Sequence, residues 1–511
     1  MTQIKKDKKM MKLNHIRQLG LVAILLAIGT VSVWDQAVFA QHDQTEAEDG
    51  VQVLTRGPVH EAFAETVPFD PQPGIKVPKA PPDSIEELPP EQKPEGANIR
   101  WIPGYWGWDD ERDDFLWVSG VWRAMPPGRQ WVPGYWATSG HEYQWTSGYW
   151  ANNEASRNKY LPEPPETVEV GPNINAPSPD HSWIPGCWIW YHSRYSWRPG
   201  YWVEMQPEWL WVPDHYVWTP RGYIFVGGYW DYPVSRRGIL FAPVYFDQHV
   251  YMRIGFYFSP AFVIDLNVFS DCLFWRRHYN HYYFGDYYDA HYYGKAIYPW
   301  FSLHARRYGY DPIYAHQHWM HRHDRQWENS LHKEFLKRRD HEDTRPMSRM
   351  AASEKFSSKA GQTRTKHHSV AIPLDHVVKS RDTSWQFQSL NRKERNQMSH
   401  QGQDIGKFRE KRREVESKTT NTSTARGLDQ AGEKLPMSPI ISKPTRQDGN
   451  RGTPPKRYKE PEPNNNVEPA KRSYNGSFGS PGGRGGNNND KWREPKHESK
   501  RSEGGGNGRH D

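Results

Sequence analysis

Trp131-Val-Pro-Gly-Tyr-Trp-Ala-Thr-Ser-Gly-His-Glu-Tyr-Gln-Trp-Thr-Ser-Gly-Tyr-Trp150 contains one pattern twice, Trp-x-x-Gly-x-Trp. Trp131, Gly134 and Trp136 make one copy, and Trp145, Gly148 and Trp150 the next. Upstream stand Trp101, Gly104, Trp106 and Trp117, Gly120, Trp122. Downstream stand Trp183, Gly186, Trp188 and Trp197, Gly200, Trp202. Two degenerate copies follow. Trp211-Val-Pro-Asp-His-Tyr-Val-Trp218 reads as a copy with an insertion, and Phe225-Val-Gly-Gly-Tyr-Trp230 has Phe in place of the first Trp. Starts at 117, 131 and 145 are 14 residues apart, as are those at 183, 197, 211 and 225. A fixed period of this kind reuses one small unit, which buries its apolar face on its neighbours.

The midpoints between successive tryptophans fall on turn-forming residues. Pro133-Gly134 suits the centre of a type II turn, and 139–142, 125–128 and 205–208 are also turn-like. This predicts a meander of very short antiparallel strands in which each Trp faces the next. A second aromatic row would pair Trp108 with Phe115 and Trp190 with Tyr195, and place Glu204 opposite Trp209. The alternative is a continuous strand bulged at Pro-Gly, because an L-Pro-Gly turn twists against the strands that it joins. The fold class expected is mainly β, with tandem short antiparallel hairpin or meander repeats and a Trp ladder. A short helix follows the repeats, and long disordered arms flank them.

The composition divides the 511 residues unevenly. Of 25 Trp, 18 lie between 101 and 230. Residues 1–40 have the layout of a signal peptide, with Lys5, Lys6, Lys8, Lys9, Lys12 and Arg17 before an apolar run and Val38-Phe39-Ala40 at the cleavage position. An uncleaved anchor is the alternative, and no later segment is apolar enough to span a bilayer. Residues 41–97 read as a Pro-rich linker, 98–158 as the first repeat block, 159–180 as a second Pro-rich linker and 181–247 as the second block. Residues 248–345 form an aromatic and His-rich region. Its helix starts at Asp311-Pro312, carries Trp327, Leu331 and Phe335 on one side, and fades near 338–340. Residues 346–511 read as a basic disordered tail with one short helix near 408–416, and hold 33 Lys+Arg against 19 Asp+Glu. Residues 41–345 are acidic, with 28 against 39. Such a tail meets acidic polymers, folds back on its own body, or only keeps itself soluble.

The tandem copies over 98–231 resemble the WXXGXW (YXWGXW) repeat family of exported bacterial proteins. The resemblance implies architecture and export, and it brings no catalytic residue, cofactor or ligand set.

Candidate chemistry is sparse. A row of Trp faces could stack on sugar rings, or the Trp could be the core. His278, His281 and His291, and His316, His318, His321 and His323, form two clusters without a complete metal-ligand set, and solvated or packing histidines are the simpler reading. The acidic turn 109–114 lacks the ligand spacing of a calcium loop. Cys187 and Cys272 form one disulfide if the compartment oxidises them, and are otherwise two buried thiols. No nucleophile–base set, phosphate loop or paired carboxylate stands out. The expectation is a non-enzymatic structural or interaction protein of the cell envelope, with no cofactor and no metal. The alternatives are a glycan-binding protein and, third, an envelope hydrolase. The partner classes expected are a polysaccharide or another anionic envelope polymer. No nucleic acid is expected despite the Arg-Gly-Gly tail.

Overall fold

The computed structural model describes residues 50–153, 159–305, 308–346, 369–380, 385–417, 435–442, 454–455, 460–464 and 466–467. Residues 1–49, which hold the expected signal peptide, and residues 471–511 lie outside the described residues. The chain is mainly strands, arranged in many small antiparallel sheets.

The repeats fold as four hairpins, each made of two copies. In the first, Ile99–Ile102 and Tyr105–Asp109 run out, and Asp114–Val118 and Val121–Ala124 run back. Ile102 pairs with Val121 and Tyr105 with Val118, so Pro103-Gly104 and Ser119-Gly120 face each other as a two-residue gap in both strands. The second hairpin (129–152) has the same gap at 133–134 and 147–148. The third (181–204) has it at 185–186 and 199–200, and the fourth (210–231) at 213–214 and 227–228. The reversals lie elsewhere. In the third hairpin His192 and Ser193 take φ of +47° and +60°, the paired positive values of the turn that matches strand twist. In the second, Gly140 takes φ of +67°.

Pro-Gly is therefore not a turn, and the interrupted strand replaces the meander. The inner pairs Trp106–Trp117, Trp136–Trp145 and Trp188–Trp197 form as the meander also predicts. The outer tryptophans instead pair with each other across the whole hairpin, as Trp101–Trp122, Trp131–Trp150, Trp183–Trp202 and Trp211–Trp230. Ring centroids in these seven pairs lie 5.0–5.3 Å apart. The second row holds for Trp108–Phe115 and Trp190–Tyr195, whereas Glu204 faces His181. Of the signature tryptophans, only Trp183 and Trp202 are not buried.

The other segments wrap these hairpins. The Pro-rich residues 50–97 lie within the packed body and contribute buried Val59, Ala62, Phe63 and Leu88. Leu273–Arg276, His281–Phe284, Ile297–Pro299 and Gly57–Pro58 form a four-stranded sheet. Asp311 caps the helix Pro312–Met320 by accepting from the Tyr314 amide at 2.9 Å, and a second helix runs Trp327–Asp340. In the basic tail, the short helix expected near 408–416 is a 26-residue helix, Arg392–Ser417, that buries Ile405, Phe408, Arg412 and Val415. Both cysteines are free, and buried Cys272 donates its thiol to the Val268 carbonyl, so the disulfide alternative is not realised.

Candidate functional site

Interrupting a ladder leaves backbone N–H and C=O groups without strand partners, and buried groups of this kind must be satisfied elsewhere. In each hairpin a carboxylate fills the N–H side of the gap. Glu87 enters the first hairpin: its Oε1 accepts from the Gly120 amide at 2.9 Å and the Trp117 indole at 3.1 Å, and its Oε2 accepts from the Gly104 amide at 2.7 Å. Glu61 enters the second, accepting from the Trp145 indole at 3.0 Å and the Gly148 amide at 2.9 Å. Glu169 enters the third, accepting from the Trp183 indole at 3.2 Å and the Gly186 amide at 2.5 Å.

The spacing of the motif follows from this geometry. The first Trp of a copy and the Gly three residues on donate to one carboxylate: Trp117 with Gly120, Trp145 with Gly148, Trp183 with Gly186. The glycine is small because an indole of the facing copy covers it. A Cβ built on Gly120, Gly134, Gly148, Gly186 or Gly200 falls within 3.0 Å of the ring of Trp101, Trp145, Trp131, Trp197 or Trp183 respectively.

The fourth hairpin tests the rule by breaking it twice. Asp214 occupies the glycine position, and the residue paired across from Tyr216 is Phe225, so the copy at 211 carries no insertion and Tyr216 stands in for its second Trp. The smaller Phe leaves room for a side chain at 214. Asp214 then supplies the carboxylate from within, accepting from the Gly228 amide and pairing with Arg198.

Cations and donors serve the C=O side. Arg412 of the long helix donates to the Pro133 and Ser147 carbonyls at 2.8 and 3.0 Å. Its guanidinium lies 5.2 and 5.1 Å from the Tyr135 and Tyr149 rings. Glu416 accepts from Arg412 at 3.0 Å and from the Tyr135 hydroxyl at 2.7 Å. The first hairpin uses His60, whose Nε2 lies 3.2 Å from the Pro103 carbonyl. Between hairpins, buried Arg123 reaches both oxygens of Asp231, at 2.7 and 2.6 Å, which ties the last strands of the first and fourth together.

Burial shifts these groups in opposite directions. It raises the Glu61 carboxyl to about 8 and that of Glu87 to about 7, against the pull of the N–H donors. It lowers His60 and His281 to about 3, so both stay neutral. His281 is a packing residue, 2.8 Å from the Tyr105 hydroxyl. His316 contacts the Pro207 carbonyl, while His318 and His321 lie against Trp327. The acidic turn disperses its carboxylates onto Arg112, Arg276, Arg56 and Lys79. Among the described residues, no group of three or more His, Cys, Asp or Glu is placed to hold a metal ion. Nor is any helix among them long and apolar enough to cross a membrane.

The carboxylates were not legible as site residues in the sequence. Glu61, Glu87 and Glu169 sit in segments that read as linkers. One signal was present: Glu87 and Glu169 each precede the first Trp of their hairpin, Trp101 and Trp183, by 14 residues.

Residues 100–123, 131–151, 179–203 and 207–231 match the model of the WXXGXW repeat, two copies at a time, and each match coincides with one hairpin. No curated protein and no solved structure matches the chain.

Proposed function

We propose that this chain, whose residues 100–231 carry repeats of the WXXGXW family, is an exported structural or interaction protein of the bacterial cell envelope without catalytic activity. One observation carries the reading: the signature residues are consumed internally. The tryptophans pair within the hairpins and all signature copies but Trp183 and Trp202 are buried, the Trp117, Trp145 and Trp183 indoles donate to the chain's own carboxylates, and the glycines admit the rings of the facing copies. A motif used in this way builds a scaffold and leaves recognition to its surface. Within the repeats, the sugar-stacking alternative keeps the half-buried Trp183, Trp190 and Trp202 of the third hairpin and Trp218 of the fourth. The basic tail is the proposed contact for anionic polymers.

The test is titration of the full chain with a panel of neutral and acidic polysaccharides, followed by Trp fluorescence. The expected result is no saturable change with neutral glycans and salt-sensitive binding of acidic ones. A saturable shift with a neutral glycan would transfer the function to the half-buried tryptophans of the third and fourth hairpins. Export is tested separately by N-terminal sequencing of secreted material, which should begin at Gln41.

A further inference from the structure

The first and third hairpins take their carboxylates in the same way, from an extended segment 14 residues ahead, but they are closed differently. In the first, the strap around Glu87 is itself covered. Glu86–Glu87 pair with Tyr257–Phe258, Ser399 of the long helix donates to Glu86 at 3.3 Å, and Arg395 donates to the Pro89 carbonyl at 2.7 Å. Among the described residues, no strand pairs with residues 162–174, the strap of the third hairpin. Val170 is 72% exposed, Ile174 60% and the neighbouring Tyr191 50%, and Glu169 itself is only half-buried.

Side-chain donors hold this strap. The Trp183 indole donates to Glu169, Trp188 to the Glu166 carbonyl at 2.9 Å, Trp202 to the Ile174 carbonyl at 3.0 Å, and the Tyr195 hydroxyl to the Pro162 carbonyl at 2.5 Å. Pro164 and Pro165 border a small cleft together with Cys187, Trp188 and Tyr216. The third hairpin is thus a preformed row of donors with a carboxylate niche at its centre, and its present occupant is accessible from solvent.

We propose that the third hairpin is a receptor for an extended, proline-flanked peptide that seats a glutamate in the niche, and that residues 162–174 are a displaceable internal occupant of that receptor. The chemistry of the partner is that of the strap: main-chain carbonyls for Trp188 and Trp202, and a carboxylate for Trp183 and Gly186. This deepens, and rests on, the reading of the repeats as an interaction scaffold. An internal occupant lowers the apparent affinity for an external one, because it competes at high effective concentration.

The experiment uses the full chain and a labelled peptide of residues 162–174, read by fluorescence anisotropy. E169Q in the chain weakens the internal occupant, since an amide presents a donor to donors, so this chain should bind the peptide about tenfold more tightly than the unmodified one. A peptide with Gln in place of Glu169 should bind either chain about tenfold more weakly than the Glu peptide. Near-UV circular dichroism checks that E169Q is folded. The unmodified chain gives an independent reading through competition between unlabelled Glu and Gln peptides. No binding by either chain, or equal binding of Glu and Gln peptides, overturns the proposal. If the neutral glycan panel is silent as well, the scaffold reading stands and only the receptor falls.

Discussion

Glu87→Gln separates a carboxylate niche from a merely filled gap. Both oxygens of Glu87 face donors only: the Gly104 amide on one, the Gly120 amide and the Trp117 indole on the other. A glutamine of the same shape must turn its NH2 toward one side. The better choice keeps the two donors on Oε1 and leaves the Gly104 amide facing another donor. One buried N–H without an acceptor costs about 1–3 kcal/mol. The pH dependence adds a second reading. Burial raises the folded-state carboxyl from the 4.5 range to about 7, so the folded wild-type protein holds a proton that the unfolded chain releases. Its stability is greatest below about 4.5 and falls as pH rises toward about 7, while Gln does not titrate. The wild type should therefore lose stability between pH 5 and pH 8 through this group, and the Gln variant should not. Urea unfolding followed by Trp fluorescence at both pH values measures it. A Gln variant within about 0.5 kcal/mol of wild type at both would refute the niche.

Four further outcomes follow from the same geometry. Gly134→Ala puts a methyl group against the Trp145 ring and should cost about 1–3 kcal/mol, whereas a substitution at the turn residue His141 should cost under about 0.5, both read from denaturant midpoints. Trp136→Ala and Trp145→Ala should each cost about 3–5 kcal/mol, and the double variant less than their sum because the rings share one contact. Phe225→Trp alone should destabilise more than it does beside Asp214→Gly, and a thermal-melt double-mutant cycle reads that coupling as about 0.5–3 kcal/mol. Truncation at 345 should lower the melting temperature, because it removes Arg412 and Glu416 from the second hairpin; an unchanged melt would show that the helix contributes nothing.

How much of this was legible depends on the range of the interaction. The period and the inner Trp pairs follow from local spacing, so Trp136 opposite Trp145 was readable. The outer pairs were not, because Pro133-Gly134 satisfies turn statistics as well as a gap does. Twist decides between them, since the gap keeps both strands in register and leaves reversal to residues such as His192-Ser193. The straps read as linkers because proline and charge mark both solvated chain and chain whose carboxylate is taken up by a distant indole. The long helix was seen only around Phe408. Much of its contact is made by charged side chains, Arg395 and Arg412 on backbone carbonyls and Glu416 on the Tyr135 hydroxyl, and composition cannot distinguish a buried arginine from a solvated one.

The Asp214–Phe225 exchange bears on how such an array can grow. Three hairpins borrow their acid from chain outside the motif, so copying any of them alone would yield an offspring with an empty notch. The heritable unit for those three is a hairpin together with its leader, which for the first and third begins at least one period ahead. The fourth hairpin carries acid and notch in one stretch of 22 residues, from Leu210 to Asp231. It is the one hairpin here that would carry its own acid into a copy, although the copy would still need cations in place of Arg198 and Arg123, which its neighbours lend to Asp214 and Asp231.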